Sequence, residues 1–204
     1  MPQCTTSISD AIAAFSGLEL IAVALAVAYL LLAMRQSIWC WYAAFISTAI
    51  FTYLYWDVSL YMESALNVYY IGMAAYGWWQ WRGGLSESSS PIIRLNAQQH
   101  LIAIGLIALA TLISGYLLQH NSDARLPYLD SFSTWGAVVT TYMVAKKVLD
   151  NWLYWIVINS VGIYLNIDRC LLLTALLLGS YQIMSVVGYL NWRKSYDNAA
   201  KHIK

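Results

Sequence analysis

Trp152, Trp155 and Asn159 are the residues in this chain most suited to holding a small molecule. They stand at i, i+3 and i+7, so a helix through them puts all three on one face. Two indoles offer flat apolar walls to a planar ring, and the amide beyond them both donates and accepts hydrogen bonds. The same tryptophans also suit an aromatic belt at a membrane–water interface. A belt needs no polar partner deeper in the span, whereas Asn159 lies about two turns further in.

Glu63, Asn67 and Tyr70, at i, i+4 and i+7, make a second polar stripe, and Gln182 with Ser185 a shorter third. Glu63 is a carboxylate set inside an apolar run. An acid within a membrane is costly and points to function by default. It also lies about one turn from the end of its run, where a wet interfacial position would serve equally. Asp57 and Asp168 stand between apolar runs and read as turn or capping residues. His100, His120 and His202 lack metal-ligand spacing, so neither a metal nor another cofactor is expected. There is no GxxxxGKS/T, HExxH or GxSxG pattern, which argues against a nucleotide-driven motor and a hydrolase. No chain of buried acids offers a proton relay. What remains is passive passage or binding of a small molecule, with a membrane sensor or scaffold as the rival class.

These stripes need spans to carry them. The chain has 204 residues, 60% hydrophobic and 10% charged, with a mean hydropathy of +0.57. Soluble domains carry about 25% charged residues, so nearly the whole chain belongs in a bilayer. A net charge of +1 argues against nucleic acid as a partner. Cys4, Cys40 and Cys170 show no paired spacing and read as apolar filler rather than a disulfide framework. Residues 1–15 hold no Lys or Arg and do not resemble a cleaved signal peptide.

Seven runs approach the length needed to cross about 30 Å of hydrocarbon: 16–34, 37–56, 59–81, 99–118, 130–146, 151–167 and 171–192. Placing the N-terminus outside leaves nine Lys and Arg on inner segments and only Arg125 and Arg169 on outer ones. That bias predicts a multi-pass inner-membrane protein with its C-terminus in the cytoplasm.

The chain also repeats itself. At an ungapped offset of 111, Trp41 falls on Trp152, Asp57 on Asp168, Tyr70 on Tyr181, Gly77 on Gly188, and Trp81-Arg82 on Trp192-Arg193. The expected organisation is a tail over 1–15, a three-helix unit over 16–82, a linker over 83–98, a connecting span over 99–120, a second three-helix unit over 121–193 and a basic tail over 194–204. One connecting span restores orientation, so the two units insert the same way up, as in transporters built from parallel repeats. The halves differ where Trp155 meets Ala44, Asn159 meets Thr48, Asn67 meets Leu178 and Gln182 meets Ile71. An asymmetric ligand between the halves would account for such differences.

With these residues in place, the chain resembles the PnuC family of bacterial vitamin transporters. The resemblance rests on Lys147-x-x-Asp150-Asn151-Trp152-x-x-Trp155-x-x-x-Asn159, on Tyr61-x-Glu63-x-x-Leu66-Asn67, on Tyr76-Gly77-Trp78-Trp79-x-Trp81 and on Gly188-Tyr189-x-x-Trp192. It implies an all-α, seven-span, SWEET-like 3+1+3 fold, often trimeric. It also implies uptake of nicotinamide riboside by facilitated diffusion, with a cytoplasmic kinase trapping the product. Asp150 stands where the family more often has Glu, and Asn67 where Gln is common; related members carry thiamine or riboflavin. From these faces and stripes, substrate binding is expected at Trp152, Trp155, Asn159, Asn67, Glu63, Gln182 and Tyr70. Indole faces and a nearby Glu63 suit a stacked cation, at about 0.5–2 kcal/mol per cation–π contact.

Overall fold

The computed structural model describes residues 17–57, 59, 61–82, 91–122 and 125–202. The expected N-terminal tail, residues 83–90 of the linker and the last two residues lie outside them. Among the described residues there are seven helices: α1 Gly17–Met34, α2 Trp39–Asp57, α3 Tyr61–Arg82, α4 Ala97–Asn121, α5 Pro127–Ala145, α6 Asn151–Asp168 and α7 Leu172–His202. Each coincides with one expected span. The connecting helix starts at Ala97 because Asn96 and Gln99 form a reciprocal capping box there. Helix α7 runs on through the basic tail, where Arg193 and Asp197 pair across one turn at 3.9 Å.

Helices α1 and α4 are apolar and long enough by composition alone to cross a membrane. The other five carry more Tyr, Trp, Ser and Thr, yet they too turn large apolar side chains outward, including Leu153, Val157, Ile183 and Leu190. Apolar surface on this scale is a liability in water, whereas in lipid it is the ordinary outer face of a helix bundle.

Packing order follows a closed ring. Helix α1 packs on α2, α2 on α3, α3 on α5, α5 on α6, α6 on α7, and α7 returns to α1; α4 packs on α5 from outside the ring. The ring closes through two kinds of seam, short hairpins within each triplet and longer-range contacts between triplets.

Positions 111 residues apart share local geometry. Gln36 and Lys147 have φ of 55° and 52°, and Ser59 and Cys170 have φ of 61° and 59°. Left-handed backbone is uncommon in residues other than glycine. Here it ends helices in the Schellman pattern, with Ser37 N donating to Leu32 O at 3.0 Å and Val148 N to Met143 O at 2.9 Å. Trp41 meets Trp81 edge-on at 5.3 Å, and Trp152 meets Trp192 edge-on at 5.5 Å. Gly77 lies under the Trp41 ring and Gly188 under the Trp152 ring, each so close that a Cβ would fall within 3 Å of ring carbons. Between triplets, Trp81 Nε1 donates to Ala145 O and Trp192 Nε1 to Ala33 O, both at 3.0 Å. Each triplet thus caps the last turn of the other triplet's first helix.

One expectation is corrected here. Cys170 is disulfide-bonded and Cys40 is free, so the cysteines are not all apolar filler; Cys4 lies outside the described residues.

Gly77→Ala and Gly188→Ala should each cost about 1–3 kcal/mol through overpacking against an indole that cannot retreat. Gly72→Ala and Gly179→Ala, whose added Cβ would meet nothing within 4 Å, should leave the melting temperature unchanged or raise it. Thermal melts of the four purified variants check this, and equal behaviour of all four would show that the glycines are not packing positions.

Candidate functional site

The helix ring encloses a cavity of about 390 Å³ to which both triplets contribute. It runs from Asp130 and Arg169, at the start of α5 and just past α6, down to Trp41 and Thr141, close to the opposite helix ends. At the mouth Arg169 Nη2 donates to Asp130 Oδ2 at 2.9 Å. Beside it Asn166 donates one of its two amide N–H groups to Gly162 O at 2.8 Å, a local helix bond. Its carbonyl oxygen accepts nothing from the described residues.

Midway down, Asn159 is buried and its Nδ2 reaches Ser185 Oγ at a long 3.4 Å. The Asn159 carbonyl oxygen has no protein donor among the described residues, which leaves one good acceptor and one loosely held donor facing the cavity. Across from it Ser47 and Thr48 bond the carbonyls of Ala22 and Ala44, both at 2.8 Å. Their hydroxyl oxygens keep lone pairs for a ligand. The end at Trp41 and Trp155 is aromatic, with Tyr29 and Trp41 in tilted contact at 6.0 Å, and Tyr70 also lines the cavity. A cavity with flat apolar walls at one end and a few convergent polar groups at the other suits a planar heterocycle bearing a polar arm.

Three of the residues expected to bind substrate, Trp155, Asn159 and Tyr70, line this cavity. The others do not. Trp152 is 1% exposed and lies below the floor, over Gly188 and edge-on to Trp192. It shares a helical face with Trp155, but α7 closes on that face near the inner helix end, so face and depth diverge. Glu63 is exposed in the first turn of α3, and Asn67 spends its amide on the Glu63 carbonyl at 2.8 Å. Gln182 Nε2 reaches Ser160 Oγ at 3.3 Å along the α6–α7 seam, while its buried carbonyl oxygen has no partner. The sequence reading did not assign Trp41, Tyr29, Asp130, Asn166 or Arg169 to the site. Trp41 carried a usable signal, since it is the repeat mate of Trp152 with small Ala44 beside it. Among the described residues no group of three His, Cys, Asp or Glu could hold a metal ion.

Comparison with known proteins places this arrangement among membrane carriers. Residues 16–194 match the family described as nicotinamide mononucleotide transporter. The riboflavin/roseoflavin transporter RibM of Streptomyces davaonensis is 25% identical over 145 residues, covering 67% of this chain and 66% of that protein. The nicotinamide riboside transporter PnuC of Neisseria mucosa is 28% identical over 163 residues, covering 73% and 61%. That of Escherichia coli is 23% identical over 158 residues, covering 65% and 66%. The matched stretch thus spans just under two thirds of these relatives' own lengths. The crystal structure of a vitamin B3 transporter PnuC superposes with a TM-score of 0.70 at 22% identity, over 87% of this chain and 81% of that one.

The two tryptophans of α6 should fail differently. Trp155→Ala removes a cavity wall and should weaken ligand binding by about 1–3 kcal/mol if base-stacking energies transfer, with little change in melting temperature. Asn159→Leu should weaken it by a similar ~1–3 kcal/mol, by leaving a ligand polar group unpaired. Trp152→Ala should instead destabilise the protein by about 3–5 kcal/mol, while the protein that survives binds normally. Isotherms for nicotinamide riboside and riboflavin, with melts on the same preparations, separate these outcomes; lost affinity in a stable Trp152→Ala protein would return Trp152 to the site.

Proposed function

The chain belongs to the nicotinamide mononucleotide transporter family, and on that premise we propose that it carries nicotinamide riboside across the inner membrane by facilitated diffusion. The observation that carries the reading is the pairing of Trp41 and Trp155 with the Asn159 amide on one cavity between the triplets. The pyridinium ring of nicotinamide riboside is flat and cationic, which suits indole and phenol faces. Its carboxamide complements the amide of Asn159, and its ribose hydroxyls complement Ser47, Thr48 and Asn166. At about 390 Å³ the cavity lies at the small end of ligand sites, about 300–1,000 Å³, which favours one ring over the three fused rings of riboflavin. Thiamine, also a cation, is the nearer rival. The identity of about a quarter to RibM supports riboflavin as the second reading.

The two triplets form a parallel 3+1+3 repeat in this proposal, SWEET-like in plan, with α4 as the single connecting span. Its support is the shared left-handed turns, the paired glycines and the reciprocal Trp81 and Trp192 bonds. The N-terminus faces outward. The charge bias supports this, and so does the disulfide at Cys170 on the lysine-poor end, since disulfides persist where the compartment is oxidising. The cavity then reaches the outer side through Asp130 and Arg169, while the tryptophan layer seals its inner end. Transport alternates between parting that layer and closing the mouth. Glu63 stays outside the cavity and acts, if at all, by raising the local concentration of a cation. A cytoplasmic kinase draws the flux inward by trapping the product, and the transporter works as a homotrimer.

In vesicles loaded with buffer alone, labelled nicotinamide riboside should enter until inside and outside concentrations match, with no ATP and no ion gradient. Unlabelled nicotinamide riboside preloaded inside should accelerate that entry by counterflow. Accumulation above the outside level would overturn facilitated diffusion, and counterflow elicited by riboflavin or thiamine alone would move the substrate to that vitamin.

A further inference from the structure

Outside the ring, between α4 and the second triplet, lies an apolar groove of about 600 Å³ that the transport reading does not use. Ile104, Ala108 and Leu112 of α4 form one wall, with Phe132 of α5 and Leu153 and Val157 of α6 opposite. Polarity is concentrated at one end. There His100 Nδ1 and Tyr154 Oη lie 2.9 Å apart with their rings stacked, and both line the groove. Behind them Asp150, 2% exposed, sits 4.0 Å from His100 Nε2 and 3.6 Å from the half-exposed Arg94 guanidinium. Leu95 N also donates to Asp150, at 2.9 Å, so the carboxylate is well served without all of Arg94, whose other donors stay free.

From these features we propose that the groove holds one acyl chain of an acidic phospholipid from the leaflet on the Arg94 side, with the lipid phosphate at Arg94 and His100. Length decides for a lipid over a protein segment. His100 to Leu112 on α4 spans about 18 Å of helix, close to the roughly 15 Å depth of one leaflet of a 30 Å hydrocarbon core. A groove that starts at the polar boundary and ends near the midplane has the dimensions of one lipid tail. Charge decides for an acidic headgroup. Arg94, beside Asp150 behind the His100–Tyr154 pair, and the positive end of the α4 dipole lie near the groove's polar end, and basic pockets between spans on the cytoplasmic side suit anionic headgroups. The proposal rests on the membrane setting of the family and is independent of which vitamin is carried.

The test uses the full chain in nanodiscs of phosphatidylcholine doped with phosphatidylglycerol, released and weighed by native mass spectrometry. Wild type should retain phosphatidylglycerol in preference to phosphatidylcholine. Arg94→Gln should weaken that retention at least about tenfold, the loss expected for one charge-assisted contact. Ala108→Phe, which fills the groove without touching the polar cluster, should abolish it. Leu101→Phe, on the exposed face of α4 outside the groove, should retain lipid like wild type. Melts on the same samples should show phosphatidylglycerol raising the melting temperature of wild type and Leu101→Phe but not of Ala108→Phe. Equal retention of the two lipids overturns the headgroup assignment. Undiminished lipid in Ala108→Phe, or a loss of oligomer in that variant with lipid unchanged, overturns the groove as a lipid site and in the latter case assigns it to a second copy of the chain. Unaltered nicotinamide riboside binding in Ala108→Phe keeps either failure distinct from failure of the transport reading.

Discussion

Two indole–carbonyl bonds hold the ring of helices together at the end where α1 and α5 finish. Helix termini leave carbonyls without intrahelical partners, and in hydrocarbon no water can serve them. Schellman turns satisfy the carbonyls of Leu32 and Met143 from within their own triplets. The carbonyl of Ala145 is served across the seam by Trp81, and that of Ala33, which also accepts from Gln36 N within its own triplet, by Trp192. Each triplet therefore supplies a donor to the other. The rings that reach across are held in turn by Trp152 and Trp41, which press onto Gly188 and Gly77. With the seam closed there, the space that the two triplets do not fill lies toward the other end, and this is where the cavity is.

What fills or leaves that space is a matter of size at equivalent positions. Trp155 stands where the first triplet has Ala44, and Tyr29 where the second has Thr140. Trp155, Ala44 and Tyr29 line the cavity together, so positions 111 residues apart contribute side chains of different size to it. Such a cavity cannot be equivalent under exchange of the halves, and neither is a ligand with a ring at one end and hydroxyls at the other. The polar substitution of Asn159 for Thr48 falls at the same depth, where it converts a hydroxyl tied to its own helix into an amide with a free carbonyl.

The same comparison explains what could be read from the sequence and what could not. The seven spans were legible because runs of apolar residues and the turns between them are local features. The offset of 111 was legible because Trp, Gly and Asp are rarely matched by chance in apolar sequence. Periodicity put Trp155 and Asn159 on one helix face, and with Tyr70 they line the cavity. Trp152 shares that face and lies outside the lining, because periodicity does not report how deep a residue lies along a seam or where a neighbouring helix shuts it. Glu63 and Asn67 show a second limit. A polar stripe on one helix can bond within that helix, as the Asn67 amide does to the Glu63 carbonyl, and such a stripe need not line the cavity. Asp130 and Arg169 were beyond reach for a third reason. Their pairing joins two helix ends 39 residues apart in sequence, and only the closed ring brings them together.

The stretch from Lys147 to Asn151, which carries much of the family resemblance, organises the helix ends around it. Lys147 is buried with its ammonium 4.8 Å from the centre of the Trp81 ring, and burial pushes its pKa below the usual lysine range. Asn151 turns its amide back to Val148 O. Ile93 and Val148 form a short parallel bridge, with Ile93 N bonded to Lys147 O at 3.1 Å and Leu149 N to Ile93 O at 2.8 Å. Asp150 takes the next backbone N–H along. Together these bonds dock the strand that leads into α4 against the turn between α5 and α6, which fixes the connecting helix at one end only. From there α4 leans on α5 while leaving α6 partly uncovered, and the apolar groove is the gap that results. The motif sets where the connecting span stands, and so which faces of the second triplet meet lipid and which meet the cavity.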